Sequence, residues 1–232
     1  MKHIIKTMAF LLVAVLLSGC HDITTEGVTK ITYYCDLTLE GDPVVFIPLG
    51  STYTEPGWTA DNNGTDVSDQ VTVTGSVNAN AIGIYNLVYS VLNEDGFPKT
   101  AARQVVVYDA TPSAMASDVY DISPASNRNG TTIYGGAFTI LIYQISPGKF
   151  YVSDLFGGYY DQRAGYGSSY AMVGHIALAG DNTITLLDSH VAGWNDSLDG
   201  LSNGSYDPDT KTVLWTASYL GAYNFNVIAT PQ

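Results

Sequence analysis

The residues best suited to chemistry fall in two glycine-rich stretches of the carboxy-terminal half. Leu155–Tyr170 sets Phe156, Tyr159, Tyr160, Tyr166 and Tyr170 among Gly157, Gly158, Gly165 and Gly167, with Asp161, Gln162 and Arg163 between them. Val191–Asp196 places Trp194, Asn195 and Asp196 directly after Gly193. Glycine keeps such a stretch from packing regularly and lets the chain fold open, while the rings stay available as flat platforms. A sugar presents apolar C–H faces that stack on rings, and neighbouring Asp, Asn, Gln and Arg pair with its hydroxyls. Tyr159, Tyr160, Asp161, Arg163, Tyr166, Tyr170, Trp194, Asn195 and Asp196 are therefore the expected ligand-binding set. The competing use of the same rings is to fill the core and cap the ends of a small β domain.

Catalysis has less to work with. The chain contains no Gly-x-Ser-x-Gly elbow, phosphate loop, dinucleotide fingerprint or His-Glu-x-x-His helix. All four Glu (Glu26, Glu40, Glu55 and Glu94) precede residue 111, so a hydrolase in the second half would depend on two Asp, such as Asp161 and Asp196. His175 and His190 stand singly among apolar neighbours, and His175 reads as a hydrogen-bonded strand residue rather than a base. No Cys/His cluster has zinc-site spacing. The Asp61-Asn62-Asn63-Gly64-Thr65-Asp66 run could offer oxygens to calcium but lacks the spacing and closing Glu of an EF-hand loop, and Asx-rich turns are common without metal. The expectation is a protein that is not an enzyme and carries no cofactor and no metal.

Of 232 residues, 46% are hydrophobic and 13% charged, which suffices for a packed core and excludes disorder. Acidic residues outnumber basic ones 22 to 9, for a net charge of -13. A phosphate-binding surface needs clustered Lys and Arg, so nucleic acid is excluded as a partner.

The amino terminus reads as an address. Lys2 and Lys6 precede an unbroken apolar run, Met8–Leu17, and Leu17-Ser18-Gly19-Cys20 closes it with small residues before a cysteine. The run is shorter than the ~20 residues a membrane span needs and fits a secretory signal. Its ending resembles a bacterial lipobox, which makes residues 1–19 a signal peptide, Cys20 the lipidated first residue of the mature chain, and 20–30 a tether. Acylated Cys20 would leave Cys35 without a disulfide partner, so Cys35 is expected as a small core hydrophobe.

What must position the aromatic stretches is β-structure. Runs of Val, Ile, Thr and Tyr alternate at period two between Gly, Asn, Asp and Pro, and no window beyond the signal holds a helical period. The clearest are Val71–Thr74, Tyr85–Val91 and Arg103–Tyr108, then Gly136–Gln144, Lys149–Asp154, Ala171–Ala177, Thr183–Leu187, Gly204–Asp207, Thr212–Tyr219 and Tyr223–Ile228. Thr111-Pro112-Ser113-Ala114 marks a seam between a 31–110 domain and a 111–232 domain. The fold class is all-β: an immunoglobulin-like β-sandwich, then an antiparallel β-meander or small β-barrel. Trp215, sharing a face with Val213, Ala217 and Tyr219, belongs in the core, as does Trp58.

The first domain carries Gly50-Ser-Thr-Tyr53-Thr-Glu55-Pro56-Gly57-Trp58, Asn63-Gly64, Gly83-Ile-Tyr85-Asn-Leu-Val-Tyr89, Asp95-Gly96 and Arg103-Gln-Val-Val-Val107 in order. This resembles the bacterial immunoglobulin-like repeats of pesticidal crystal toxins and many surface proteins, which act as spacers or interaction modules. Tyr85 is similar to the tyrosine that ties a corner in such folds. Phe156-Gly157-Gly158-Tyr159-Tyr160, Gly165-Tyr166-Gly167, Val191-Ala192-Gly193-Trp194 and Tyr206-Asp207-Pro208-Asp209-Thr210 resemble a carboxy-terminal domain of Bacteroidetes surface lipoproteins. The resemblance implies a lipid-anchored outer-membrane protein at the cell surface, often associated with starch-utilisation-like nutrient uptake. An oligosaccharide or polysaccharide ligand and an outer-membrane transporter complex are then the expected partners. The acidic export signal after the lipidated cysteine is partial, with Asp22 and Glu26 but no acidic run.

Overall fold

The computed structural model describes residues 30–232, so the signal segment, the lipobox and Cys20 lie outside the described residues. Seven strands form the first half: β1 (Asp36–Leu39), β2 (Val44–Pro48), β3 (Trp58–Asn62), β4 (Thr65–Asp66), β5 (Thr72–Thr74), β6 (Gly83–Leu92) and β7 (Pro98–Tyr108). They make two sheets, β1-β3-β4 and β2-β7-β6-β5, with β2 parallel to β7 and the other neighbours antiparallel. Leu37, Ala60, Leu87, Tyr89, Val91, Val105 and Val107 fill the space between the sheets, together with the free, buried thiol of Cys35. Trp58 packs on Tyr89 with ring centroids 5.4 Å apart. Tyr85 donates its hydroxyl to the Ala81 carbonyl at 2.9 Å, so the corner tie expected at this residue is present. The Asp61–Asp66 run is the β3–β4 turn, in which the Asp61 carboxylate accepts the Gly64 N–H at 2.7 Å.

One charge lies inside this sandwich. Arg103 is fully buried, its guanidinium meeting the Glu55 carboxylate and the Glu40 carbonyl while its Nε donates to the Asp42 carbonyl at 3.2 Å. Glu55 also accepts the hydroxyls of Tyr53, at 2.6 Å, and Tyr89. Burial pushes the Glu55 carboxyl up, but the two hydroxyls, the Gly57 N–H and the Arg103 charge outweigh it and hold it below the ordinary glutamate range.

The second half holds β8 (Asp118–Ile122), β9 (Asn127–Arg128), β10 (Thr132–Ile133), β11 (Phe138–Ser146), β12 (Lys149–Val152), β13 (Val173–Leu178), β14 (Ile184–His190), β15 (Gly200–Asp207), β16 (Thr212–Tyr219) and β17 (Tyr223–Pro231). Antiparallel pairing runs β14-β13-β12-β11-β8-β17-β16-β15. The sheet curls until its ends meet: Thr183 bridges Ser205, and the Tyr206 N–H reaches the Asn182 carbonyl at 2.9 Å. The β9–β10 hairpin hangs from β17. Each of the seven strands expected from alternation is present, whereas β8, β9 and β10 lie in a stretch where too few apolar residues alternate to announce them. Because the strands alternate in direction, the β8–β11, β12–β13, β14–β15 and β16–β17 connections all emerge on one rim. Trp215 is buried at the centre of the barrel with Val213, Ala217 and Tyr219, the face expected of it.

Three apolar runs have both of their faces covered, and in Val105–Val107 this departs from the one-sided alternation expected over Arg103–Tyr108. In Val44–Ile47 and Val105–Val107, Val45, Ile47, Val105 and Val107 pack into the sandwich core, while Val44, Phe46 and Val106 point the other way. In Ile140–Tyr143, Ile140 and Ile142 face the barrel interior and Leu141 and Tyr143 face out. The leftover faces meet in one cluster, completed by Ile84, Tyr108, Val119 and Tyr151, that joins the two domains side by side. Gln144 closes its lower edge by donating to the Asp109 and Thr111 carbonyls at 3.0 and 2.8 Å.

Replacing Glu55 by Ala strands the Arg103 charge inside the sandwich. Removing one partner of a buried pair costs about 3–5 kcal/mol, and chemical denaturation should show a loss of that order. The Glu55 carboxyl is held low in the folded state, so its contribution is complete at neutral pH and is lost as the pH falls through its folded value. The Glu55→Ala deficit should therefore shrink at acid pH.

Candidate ligand-binding site

The β12–β13 connection is organised by a residue at its very start. Asp154 follows β12 and is buried; one carboxylate oxygen accepts the N–H groups of Phe156 and Met172, both at 2.9 Å, and the other accepts that of Gly158 at 2.8 Å. The carboxylate thereby fixes both ends of the loop, since Met172 directly precedes β13. Two core residues hold the same segment: Trp215 Nε1 donates to the Leu155 carbonyl at 2.8 Å, and the Tyr134 hydroxyl to the Phe156 carbonyl at 2.5 Å. Gly157 and Gly158 take φ of 64° and 79°, a left-handed bend that turns the chain back over the barrel end. A wide helical turn follows over Tyr159–Arg163, in which the Arg163 N–H reaches the Gly158 carbonyl five residues back at 2.9 Å. Gln162 pairs with β11 as a strand residue would, exchanging hydrogen bonds with the Thr139 N–H and carbonyl.

The second loop is shorter. Val191 and Asp196 bridge, so Ala192-Gly193-Trp194-Asn195 forms a tight turn with Asn195 at φ 51°. The Gly193 N–H donates to the Ser169 carbonyl at 2.7 Å, tying this turn to the first loop. A Cβ at Gly193 would lie 2.6 Å from the Tyr170 ring, so only glycine allows this approach.

Together the loops carry an aromatic series from the core to the surface. Phe225 and Phe156 pack inside with centroids 4.4 Å apart; Tyr160 lies over Phe156 at 5.3 Å, and Trp194 stands edge-on to Tyr160 at 4.8 Å. Tyr170 meets Trp194 at 5.0 Å and Tyr166 meets Tyr170 at 5.5 Å, and these three line an open depression of about 350 Å³. Tyr166 is 56% and Trp194 39% exposed. Tyr219 backs the indole in a near-parallel stack at 6.1 Å and donates its hydroxyl to Asp196 at 3.3 Å.

Of the residues expected to bind a ligand, the fold therefore brings Tyr166, Tyr170 and Trp194 together at the surface, with Tyr160 half-buried beneath them and Asn195 exposed at the turn. Tyr159 does not reach solvent: it is buried between Tyr134 and Phe225, where the loop crosses the barrel mouth. Arg163 is exposed, its Cζ 5.2 Å from the Tyr159 ring. Asp161, its carboxyl pushed up by burial, lines a groove at the domain junction with Val44, Gln104 and Leu141. Asp161 thus lines the junction groove, while Asp196 accepts the Tyr219 hydroxyl behind Trp194. His175 pairs with Asp188 at 2.7 Å on the outer face of β13 and β14, the hydrogen-bonded strand position expected. Among the described residues, no three His, Cys, Asp or Glu are grouped to hold a metal ion. The residue sequence reasoning missed is Asp154; its only signal is a carboxylate beside the Leu155-Phe156-Gly157-Gly158 run.

Two family models match consecutive stretches of the chain. The model of the bacterial surface protein Ig-like domain matches residues 37–107, and a family model described as a C-terminal domain matches residues 108–231. The crystal structure of the lipoprotein BT2262 from Bacteroides thetaiotaomicron is 46% identical, with a TM-score of 0.76 over 85% of this chain and 100% of that one. The chain belongs to the family of that lipoprotein. It is thus homologous to a Bacteroides lipoprotein and carries the Ig-like domain of bacterial surface proteins. Two Clostridium perfringens ZmpB structures align at 14% and 13% identity, the first (CBM51-2 with GlcNAc, and INT domains) over 51% of this chain and 31% of that one, the second (M60 catalytic domain with CBM51-1 and CBM51-2) over 81% and 15%. Their TM-scores of 0.28 and 0.30 fall below those of a shared fold. No curated protein matches the chain.

Asp154→Ala leaves three buried N–H groups without an acceptor, at about 1–3 kcal/mol each, and should lower the stability of the barrel by at least about 3 kcal/mol in denaturant titrations while shifting Trp fluorescence. Burial pushes the Asp154 carboxyl up to about 6 against the three N–H groups that favour its ionised form. The folded protein then holds a proton that the unfolded chain releases, so the stability tied to Asp154 rises as the pH falls through 6 toward the ordinary carboxylate value. Asp154→Asn should remove that slope.

Proposed function

We propose that this lipoprotein is a non-catalytic glycan-binding accessory, anchored through Cys20 in the outer membrane and exposed at the cell surface, that captures or presents an oligosaccharide to a nutrient transporter. The observation that carries the reading is the exposed ring set of Tyr166, Tyr170 and Trp194, held open by Gly193 and backed by Tyr160 and Tyr219. A core-filling role accounts for Phe156 and Tyr159 but leaves a half-exposed tyrosine and an indole at the surface unexplained. Large apolar rings gain nothing from water; their cost is recovered when a ligand with an apolar face covers them. The depression is shallow and open, suited to one or two sugar rings of a longer chain rather than to enclosing a small molecule.

The non-catalytic part of the reading is supported by Asp161 lining the domain-junction groove while Asp196 accepts the Tyr219 hydroxyl behind Trp194, so these two are not a facing carboxylate pair. Asn195, exposed beside the indole, is placed to accept or donate to sugar hydroxyls.

A glycan array and affinity gels of bacterial, plant and host polysaccharides test this with the purified full chain and Trp194→Ala. Retention on at least one glycan, lost in the variant with a melting temperature within a few degrees of the parent, is the expected outcome. No retention across the panel, or a large fall in melting temperature for Trp194→Ala, would return these rings to a purely structural role.

A further inference from the structure

The chain has few cations, and two of the four in its second half converge on one ring. Arg128 lies on β9, with its Cζ 4.8 Å from the Tyr159 centroid and 5.1 Å from that of Tyr223. Arg163 approaches the same Tyr159 from the wide helical turn at 5.2 Å, its Nε donating to the Tyr134 carbonyl at 3.2 Å. The two guanidiniums are therefore separated by about 10 Å at most, the sum of their distances to the shared ring. Like charges this close repel, and each would gain from a carboxylate. In a protein where acids outnumber bases 22 to 9, carboxylates are abundant. Yet the ion pairs among the described residues are Lys30 with Glu94 and Asp95, Arg103 with Glu55, and His175 with Asp188; neither Arg128 nor Arg163 has a carboxylate within 4.0 Å.

This unpaired charge borders the aromatic depression. Arg128 faces the Tyr160 hydroxyl, and the Tyr160 ring is the one that Trp194 stands on at 4.8 Å and Tyr166 stacks over at 5.9 Å. The nearest loop carboxylates are turned elsewhere: Asp196 to Tyr219, Asp161 to the domain junction. A ligand seated on Trp194, Tyr166 and Tyr170 and running over Tyr160 thus meets the Arg128 guanidinium, with Arg163 on the adjoining Tyr159 ring. Guanidinium is the side chain that binds carboxylate through two parallel hydrogen bonds.

We infer that the barrel rim selects acidic saccharides, with Arg128 binding a sugar carboxylate next to the ring that stacks on Trp194 and Arg163 adding its positive charge from the shared Tyr159 ring. This rests on the glycan-binding reading and narrows its ligand class. Net repulsion between an acidic chain and a protein of charge -13 makes such a local cationic shelf favourable for docking an acidic glycan.

The test compares polygalacturonate, alginate and hyaluronan, each beside its carboxyl-reduced form, in affinity gels with the full chain purified in detergent. Variants are Arg128→Gln, Arg163→Gln, the charge-retaining Arg128→Lys, and Trp194→Ala, with melting temperatures checked for each. At least one acidic polymer should bind tenfold or more tightly than its reduced form, with each Gln variant losing most of that preference, Arg128→Lys losing part of it, and added salt weakening it. Binding of acidic and reduced forms alike, lost in Trp194→Ala but unchanged in the Arg variants, would overturn the acidic selectivity and leave the glycan reading standing. Arg-dependent binding that survives Trp194→Ala would keep the carboxylate site and overturn the aromatic platform. Binding to none of these polymers, acidic or reduced, overturns the selectivity, and the broad glycan panel then decides the platform separately.

Discussion

A carboxylate without solvent is costly, and the barrel keeps one at Asp154 because no other group could hold three backbone donors that diverge from two ends of a loop. Everything that makes the rim distinctive follows from that fixed point. With the Phe156, Gly158 and Met172 N–H groups satisfied, the long β12–β13 connection needs no regular structure of its own, so it crosses the barrel mouth as an open loop and seals the core with Phe156 and Tyr159. Trp215 and Tyr134 add donors from below, using the polar ends of otherwise apolar rings to grip the loop backbone. The result is a loop whose base is as rigid as the core and whose tip carries rings into solvent.

The rest of the molecule stiffens the barrel from outside. Runs such as Val105–Val107 and Ile140–Tyr143 are buried on both faces, one in a domain core and one at the junction. Val106 at that junction is as inaccessible as Val105 and Val107 on either side of it. Apolar burial of this extent, edged by the Gln144 bonds to the linker, does not suit two modules that swing freely on a tether. The sandwich instead splints β8, β11 and β12, the last of which leads into the Asp154 loop. A spacer domain therefore also sets the orientation of the rim.

How far the sequence discloses this architecture depends on what each signal encodes. Period-two alternation reports a strand with one wet face, which is why β6, β16 and β17 are legible and why Trp215 and Tyr85 could be placed in their roles. It fails for β8, β9 and β10, whose pairing comes from β11 and β17 rather than from their own pattern. Unbroken apolar runs are legible as buried but not as belonging to a junction, because sequence does not say what covers the second face. In the site, glycine and aromatic content points to the right loops, yet it cannot rank the rings: Tyr159 and Tyr160 are neighbours in the chain, and one is buried while the other backs the platform. That division is set by the wide helical turn, which nothing in Tyr159–Arg163 announces. Asp154 is illegible for a related reason: it reads as the last residue of the Lys149–Asp154 strand run, and its three donors come from positions that only the fold brings together.

The gradient from Phe225 to Trp194 settles how one cluster can be both core and site. Inner rings pack edge to face and tilted at 4.4–5.3 Å, as a core requires, and each outer ring is held by the one beneath it. An exposed indole on a mobile loop would lose side-chain freedom on binding and collapse onto its neighbours without ligand. Here Tyr219 and Tyr160 already fix the Trp194 ring on two sides, and the missing side chain at Gly193 gives Tyr170 the space to complete the wall. Burial of the inner rings is what keeps the outer ones preorganised, so the packing role and the binding role are consecutive layers of the same device rather than rival accounts of it.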